Sequence, residues 1–180
     1  MGKVHTPLPV KLICGMIFTG QDVLQHAAQR LQVRLGSIDI YSEIFPFTHT
    51  AYYNREMGSD LKRVFVAFAQ LVRCERLSEV KILTNGLEEN LALEVSGQLR
   101  RRINIDPGYL EASKLVLAST KNFSHRIYLK RGIYAEVALQ YRNNRFEPLP
   151  WTYPDYQDPK VVKFLRRVRK VYMEQVRQEQ

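Results

Sequence analysis

Along the first part of the chain, the spacing of apolar residues switches between the period typical of strands and the period typical of helices. Two segments carry apolar residues at helical spacing, 24–35 and 77–95, and the first is followed by Gly36, a residue that commonly ends helices. Four apolar or alternating runs predict strands: 10–18, 37–47, 62–72 and 102–106. The predicted order is strand, helix, strand, strand, helix, strand, which is a ferredoxin-like βαββαβ core.

The last third of the chain adds elements to this core. A strand is predicted over 114–120 and a hairpin over 126–142. Asp158-Pro159 has the residue types that open a helix, as cap and first residue, so the C-terminal segment is predicted to be helical. We therefore predict an α+β fold in a single domain, 1–180, with the core over about 8–110 and a C-terminal antiparallel hairpin and basic helix over about 111–180.

The predicted hairpin has a register that its side chains favour. With Lys130-Arg131-Gly132 as a three-residue turn, apolar residues face apolar ones on one side and polar residues face each other on the other. The predicted pairs are Ile127–Ala135, Leu129–Ile133, Tyr128–Tyr134 and Arg126–Glu136. His125 then falls on the apolar side, opposite Val137, where a hydrogen-bonded core histidine is the alternative to a general acid or base.

The composition is that of an ordinary globular protein with an excess of basic residues. The chain has 180 residues, 45% hydrophobic and 25% charged, with a net charge of +9 and a pI near 9.7. No apolar run reaches the roughly 18 residues that a membrane helix needs, and Cys14 and Cys74 have no CxxC spacing. We therefore expect a cytoplasmic protein with free thiols, no membrane association, and anionic partners.

The final helix carries much of the positive charge. Its apolar residues fall on one face, and the opposite face holds Lys163, Arg166, Arg167 and Lys170. This face is predicted to contact the phosphate backbone of a nucleic acid such as RNA. The alternative is a helix packed on the sheet with a solvated basic side.

A second group of residues has the chemistry of a site for a phosphorylated small molecule. Hydroxyl, amine and guanidinium groups over 119–126 suit a phosphate or a carboxylate. The predicted ligand-binding residues are Lys114, Thr120, Lys121, Arg126, Tyr128 and Tyr134, and the catalytic candidates are Asp106, His125 and Glu136. Asp106 has a second interpretation, because an aspartate before Pro-Gly also stabilises a turn.

Several familiar motifs are missing from the sequence. It has no GxxxxGK[ST] phosphate loop, no GxGxxG after a strand and no GxSxG. The histidines lack the spacing of metal ligands, so we predict neither a metal site nor a cofactor. A polar stripe on the second helix, formed by Lys81, Asn85 and Glu88, either lines a cleft or is a solvated face.

Several strings of residues are specific enough to indicate a family. VKLICGMIF, RRRINIDPGYL, HRIYL, GIYAEV and PWTYPDY follow one another along nearly the whole chain. In these strings the chain resembles the bacterial DUF4416 family, a domain of unknown function. The resemblance implies a single-domain cytosolic bacterial protein, and it supplies no reaction, ligand or catalytic residue.

Three functions fit these patterns. The first is a binding module for RNA or another phosphorylated ligand. The second is a small enzyme that acts on a nucleotide or a phosphorylated metabolite, with Asp106, Lys121, His125 and Arg126 at its site. The third is an interaction protein without a small ligand. A structure separates them by showing whether those four side chains converge on a cleft.

Overall fold

The chain folds into one large antiparallel sheet with helices on both of its faces. A computed structural model describes residues 1–95 and 97–179. The strands are β1 (Val10–Phe18), β2 (Ile38–Tyr41), β3 (Phe45–Pro46), β4 (Lys62–Val72), β5 (Leu93–Val95), β6 (Gln98–Arg100), β7 (Ile103–Leu110), β8 (Lys114–Ser119), β9 (Ile127–Lys130), β10 (Ile133–Arg142) and β11 (Arg145–Pro148). The helices are α1 (Gln21–Leu35), α2 (Asn54–Met57), α3 (Leu77–Asn90) and α4 (Pro159–Glu179), with short 3-10 helices at Cys74–Arg76 and Pro154–Gln157.

The large sheet has nine strands, and its extent corrects the predicted fold. The strand order is β11-β10-β8-β7-β1-β4-β2, with β3 beside β4 and β9 beside β10, while β5 and β6 form a separate hairpin. The fold is α+β, but the prediction of a ferredoxin-like βαββαβ core is wrong. β7 pairs with β8 as well as with β1, so the sheet continues into the segment predicted to be an extension. In addition, α4 packs on the face opposite to α1 and α3.

The course of β7 explains why the sequence indicated a smaller core. The turn predicted at Pro107-Gly108 is instead the middle of this strand, paired with Cys14 and Ile13 of β1. The pairing of β7 with β8 begins at Gly108, directly after Pro107. Pro107 itself is tolerated there because a proline nitrogen cannot donate a hydrogen bond to a neighbouring strand. Gly108 allows the two strands to approach closely, because a Cβ there would lie 2.4 Å from the carbonyl oxygen of Val116.

The sheet separates two apolar cores. Side chains alternate along β1, so that Leu12 and Cys14 face α1 and α3 while Ile13 faces α4. Every residue of β1 is buried, as expected for a strand that is covered on both faces. On the second face, Phe164 and Leu165 of α4 close the core. No helix within residues 1–95 and 97–179 is long and apolar enough to cross a membrane.

Several predicted elements are confirmed, and others have different bounds, as β7 does. β1 and β4 match their predicted ranges, and α1 ends before Gly36, which has a φ of 93°. α3 ends at Asn90, short of the predicted residue 95, and the run over 37–47 forms two strands, β2 and β3, rather than one. At the start of α4 the amide of Lys160 donates to the Asp158 carboxylate at 2.8 Å, which confirms the predicted cap.

The β9–β10 hairpin largely follows the predicted register. The structure confirms two predicted pairs, Tyr128–Tyr134 and Ile127–Ala135. Ile133, however, pairs with Lys130 and not with Leu129 as predicted. The turn therefore contains two residues, Arg131 with a φ of 55° and Gly132 with a φ of 77°, as a two-residue hairpin turn of positive φ requires. A register shift between Ile133 and Tyr134 accommodates this shorter turn.

Candidate functional site

A cavity of about 460 Å³ opens where β7 and β8 separate. Within the described residues these strands pair only along Gly108–Leu110 and Leu115–Leu117. Beyond that stretch, β7 stays with β1 and β8 stays with β10, which leaves a gap in the sheet. α3 lines the gap from one face and the 3-10 helix Pro154–Gln157 lines it from the other. A cavity of this size suits a small molecule.

α3 supplies hydrogen bonds that a neighbouring strand would otherwise make with β7. The amide of Ile105 donates to Oε1 of Glu88 at 2.6 Å, and its carbonyl accepts from Nζ of Lys81 at 2.9 Å. Burial raises the pKa of Glu88, and the nearby Lys81 opposes that shift. Asn85, on the same stripe, lines the cavity, and its side chain makes no hydrogen bond to any described residue. The polar stripe therefore lines a cleft and is not a solvated face.

A buried arginine, Arg63 of β4, forms part of the cavity wall. Its side chain is 1% exposed, and its guanidinium lies 2.9 Å from Oδ2 of Asp155 and 3.5 Å from Oδ2 of Asp106. The ring of Phe65 lies beneath it, with 4.4 Å between Cζ and the ring centroid. Among the described residues, Nε and Nη1 of Arg63 and the hydroxyl of Tyr156 have no hydrogen-bond partner. These buried groups would gain a partner from a ligand oxygen.

Asp106 lies on the same wall, within β7. The alternative that it stabilises a turn is wrong, because the strand continues through Pro107. Oδ2 of Asp106 accepts a hydrogen bond from Nδ2 of Asn104 at 2.8 Å, and Oδ1 lies 3.8 Å from Nζ of Lys81. The side chain remains 30% exposed, so the carboxylate is held by neighbours and still faces the cavity.

Arg126, on the opposite side of the cavity, connects several neighbouring residues by hydrogen bonds. Its Nε donates to Oε2 of Glu136 at 2.8 Å, and its Nη1 donates to Oγ of Ser119 at 2.9 Å and to the carbonyl of Lys121 at 3.0 Å. Its Nη2 donates to the hydroxyl of Tyr153 at 2.9 Å. The guanidinium is thus largely occupied by protein partners, and we infer that it shapes the site more than it binds a ligand.

His125 does not lie where the sequence placed it. The predicted position on the apolar side, opposite Val137, is wrong, because Nε2 of His125 lies 2.7 Å from Oε2 of Glu136. β9 begins at Ile127, so strand alternation does not extend back to His125. Its ring stacks on Trp151, with centroids 4.8 Å apart and an interplanar angle of 7°. His125 is outside the cavity lining and contacts the site through Glu136, which lines it.

Lys121 lies at the mouth of the cavity beside two tyrosines. Its Nζ donates to the hydroxyl of Tyr52 at 3.2 Å and lies 4.8 Å from the centroid of that ring. Tyr53 packs edge-to-face on Tyr52 at 5.1 Å and lines the cavity as well. Burial raises the pKa of the Tyr53 hydroxyl, so it stays protonated at neutral pH. No described carboxylate pairs with Lys121, which distinguishes it from Arg63 on the opposite wall.

The other predicted site residues separate into those that reach the cavity and those that do not. Thr120 lines it together with Asp106, Lys121, Arg126 and Glu136. The remaining candidates lie elsewhere: Lys114 pairs with Glu111, Tyr128 and Tyr134 contact each other edge-to-face at 5.4 Å, and Lys163, Arg166, Arg167 and Lys170 are exposed on α4. Within the described residues, no group of three or more histidine, cysteine or acidic side chains is placed to hold a metal ion.

Several cavity residues were not predicted from the sequence. They include Arg63, Tyr52, Tyr53, Arg101 and Asp155. Arg63 had a signal, because a charged residue inside the apolar run KRVFVAF of a buried strand needs a buried partner. Asp155, its partner, belongs to the string PWTYPDY, which is distant in sequence from Arg63 and has no local pattern that indicates the pairing.

The cavity has a mixed charge. Among the described residues that line it are five basic and four acidic side chains, together with the amides of Asn85 and Asn104. Such a lining offers donors and acceptors in similar numbers and has little excess positive charge. It suits a ligand that carries one anionic group and several hydroxyl or amide groups.

Comparison with known proteins identifies the family of the chain. The model of the Domain of unknown function (DUF4416) matches residues 8–172 of the 180-residue chain. Neither a curated protein nor a solved structure matches the chain. The match confirms the resemblance inferred from the strings of residues, and the chain belongs to the DUF4416 family.

Proposed function

We propose that the protein binds a small phosphorylated molecule in the cavity between β7 and β8. The observation that carries this proposal is the position of Lys121. Its ammonium lies at the mouth of the cavity, has no carboxylate partner among the described residues and donates to the hydroxyl of Tyr52, while Ser119 and Thr120 line the same cavity. An ammonium with adjacent hydroxyl donors is a typical setting for a phosphate oxygen.

The rest of the cavity limits the size and charge of the ligand. Its volume of about 460 Å³ fits a sugar phosphate or a nucleoside monophosphate. Asp106 and the amides of Asn85 and Asn104 can exchange hydrogen bonds with sugar hydroxyls, and Tyr53 offers a ring face for a sugar or a base. The four carboxylates disfavour a polyphosphate, because added negative charge near them is repelled.

A reaction on the bound molecule is the second candidate. The observation that favours it is the Glu136 carboxylate, which is 4% exposed, lines the cavity and is oriented by His125 and Arg126. A carboxylate oriented in this way can accept a proton from a ligand hydroxyl. Incubating the protein with each bound compound and following product formation separates the two candidates, since a pure binding protein leaves the compound unchanged.

The test of the proposal replaces Lys121 and matches it with a lysine elsewhere. Binding of sugar phosphates and nucleoside monophosphates is measured by calorimetry for the wild type, Lys121→Met and Lys163→Met. Because a hydrogen bond to a charged group contributes about 1.5–3 kcal/mol, Lys121→Met should weaken binding by roughly 10- to 150-fold. Lys163, 74% exposed on α4, should have no effect when replaced.

Two results would contradict the proposal. One is equal binding of a phosphorylated compound and its dephosphorylated form, because the phosphate would then have no site. The other is equal loss of affinity in both lysine variants, because general charge and not the cavity would be responsible.

We also propose a cytoplasmic location, supported by the two free thiols of Cys14 and Cys74.

A further inference from the structure

Positive charge without a neutralising partner is concentrated on α4. The helix carries seven lysines and arginines, and within the described residues only Lys163 pairs with a carboxylate, that of Glu43 at 3.6 Å. At the cavity, by contrast, four of the five basic side chains pair with acidic ones, as Arg63 and Arg101 do, and Lys121 is the exception among the described residues. The unpaired cations of α4 therefore form a group that lies apart from the cavity.

Part of this surface is a groove between α4 and the β10–β11 hairpin. Four basic residues of α4 line it: Arg166, Arg169, Lys170 and Arg177. The hairpin contributes Tyr141 and Asn144, and Glu174 is the one acidic residue among the described residues of its lining. The groove has a volume of about 590 Å³, and its residues Arg166 and Lys170 are exposed to solvent. Its strong excess of positive charge attracts anionic partners.

Arg169 is fixed at the base of this groove. Its Nε donates to the carbonyl of Ala112 at 2.9 Å, and its Cζ lies 3.6 Å from the centroid of the Tyr141 ring. Tyr141 in turn packs edge-to-face on Phe146 at 5.0 Å. The guanidinium is thus held in place while its two terminal nitrogens keep unoccupied donors, which lowers the entropy lost when an anion binds.

The basic residues form a row rather than a cluster. Arg166, Lys170 and Arg177 follow one another along α4 over about 16 Å, at a rise of ~1.5 Å per residue. A single small anion would contact one end of such a row, whereas a polymer with regularly spaced charges can contact all of it. We infer that this groove binds the phosphodiester backbone of a nucleic acid.

The neighbouring residue Arg167 provides a matched control. It is exposed, as Arg166 is, but it does not line the groove. Lys163 is likewise exposed on α4 and outside the groove. Two double variants therefore remove the same charge from the same helix, Arg166→Gln/Lys170→Gln inside the groove and Arg167→Gln/Lys163→Gln outside it.

The experiment measures the affinity of a labelled single-stranded RNA and of a duplex DNA by fluorescence anisotropy over a range of salt concentrations. If the groove neutralises phosphates, the groove variant should lose roughly tenfold in affinity, and its salt slope for the single strand should fall by about 1.4, at ~0.7 per contact. The control variant should change little. The oligonucleotide that binds more tightly identifies which form of backbone the groove fits.

Two results would overturn the inference. If both double variants lose affinity equally, the binding is general attraction to a basic helix and the groove has no role. If neither oligonucleotide binds at low salt, there is no such site. Thermal unfolding checks that the variants are folded, and Arg177→Gln offers a second groove variant if the double one is unstable. Lys121→Met should leave RNA binding unchanged, so this inference and the proposed function succeed or fail separately.

Discussion

Gly15 shows how one residue without a side chain positions the arginine of the cavity wall. A Cβ at this position of β1 would lie 2.8 Å from Nη2 of Arg63 and 2.8 Å from Cε1 of Phe65. Gly15→Ala should therefore displace the guanidinium from Asp155 and lower the free energy of unfolding by about 1–3 kcal/mol, as overpacking of a core does. Urea-induced unfolding measures the change.

Gly86 is the control for this prediction. It lies inside α3, and a Cβ there would meet no atom within 4 Å. Since glycine weakens a helix relative to alanine, Gly86→Ala should raise the free energy of unfolding by about 0.5–1 kcal/mol. A loss of stability in both variants would mean that the close contact at Gly15 is not the cause of its effect.

At the scale of elements, the bond between α3 and β7 predicts how stability depends on pH. The buried Glu88 accepts the amide of Ile105, and its pKa is raised by burial. A glutamate with a raised pKa binds its proton more tightly in the folded state than in the unfolded state, so folding becomes more favourable as the pH falls through the folded pKa.

Glu88→Gln keeps an acceptor for Ile105 and does not titrate. The free energy of unfolding of the wild type should therefore rise relative to this variant as the pH falls from neutral towards about 4.3, the usual pKa of an unfolded glutamate. Constancy of that difference would contradict the raised pKa.

The hairpin that borders the cavity gives a second prediction at this scale. Arg126 and Glu136 are 7% and 3% exposed, and the guanidinium also binds Ser119 and Tyr153. Exchanging the two charges, Arg126→Glu with Glu136→Arg, should destabilise the fold by about 3 kcal/mol or more, since the buried partners of the arginine lose their donor. The same exchange at Arg145 and Glu147, an exposed arginine 3.0 Å from its glutamate on β11, should have almost no effect. Thermal unfolding of both exchanged proteins makes the comparison.

The same hairpin shows which features could be predicted from the sequence and which could not. Side-chain complementarity predicted the Tyr128–Tyr134 pair correctly, because cross-strand pairs are local. It misplaced His125, which lies before β9 and is held by Trp151, a contact between distant parts of the chain. For the same reason the cavity was predicted only in part. Lys121 and Arg126 are close in sequence, whereas Arg63 reaches the site through pairing of strands that no local pattern specifies.

At the scale of the whole molecule, the continuous sheet predicts a single unfolding transition. Phe164 of α4 is 2% exposed in the core that joins strands from both ends of the chain, so Phe164→Ala should lower the free energy of unfolding by about 3–5 kcal/mol. Two probes then follow the transition. Trp151 fluorescence reports on the β10 side, and alkylation of Cys14 reports on β1, since burial raises the pKa of this thiol to about 12 and keeps it unreactive until it is exposed.

The two probes should give the same midpoint of unfolding in the wild type and in the variant. Separate midpoints would show that the strands beyond β8 unfold independently of β1 and its neighbours. That result would contradict the continuity of the sheet as the source of its stability.

The short pairing of β7 with β8 leaves the width of the cavity to side chains. Gly108–Leu110 join one half of the sheet, which contains β7, β1, β4 and β2, to the other half, which contains β8, β10 and β11, at one end of their border. The cavity occupies the other end of this border, where the described residues make no strand pairing between the two halves. Contacts between side chains cross it instead, such as Arg63 with Asp155 at 2.9 Å and Lys121 with Tyr52 at 3.2 Å. A substitution at one of these contacts therefore changes the shape of the cavity directly, without altering the hydrogen bonds of the sheet.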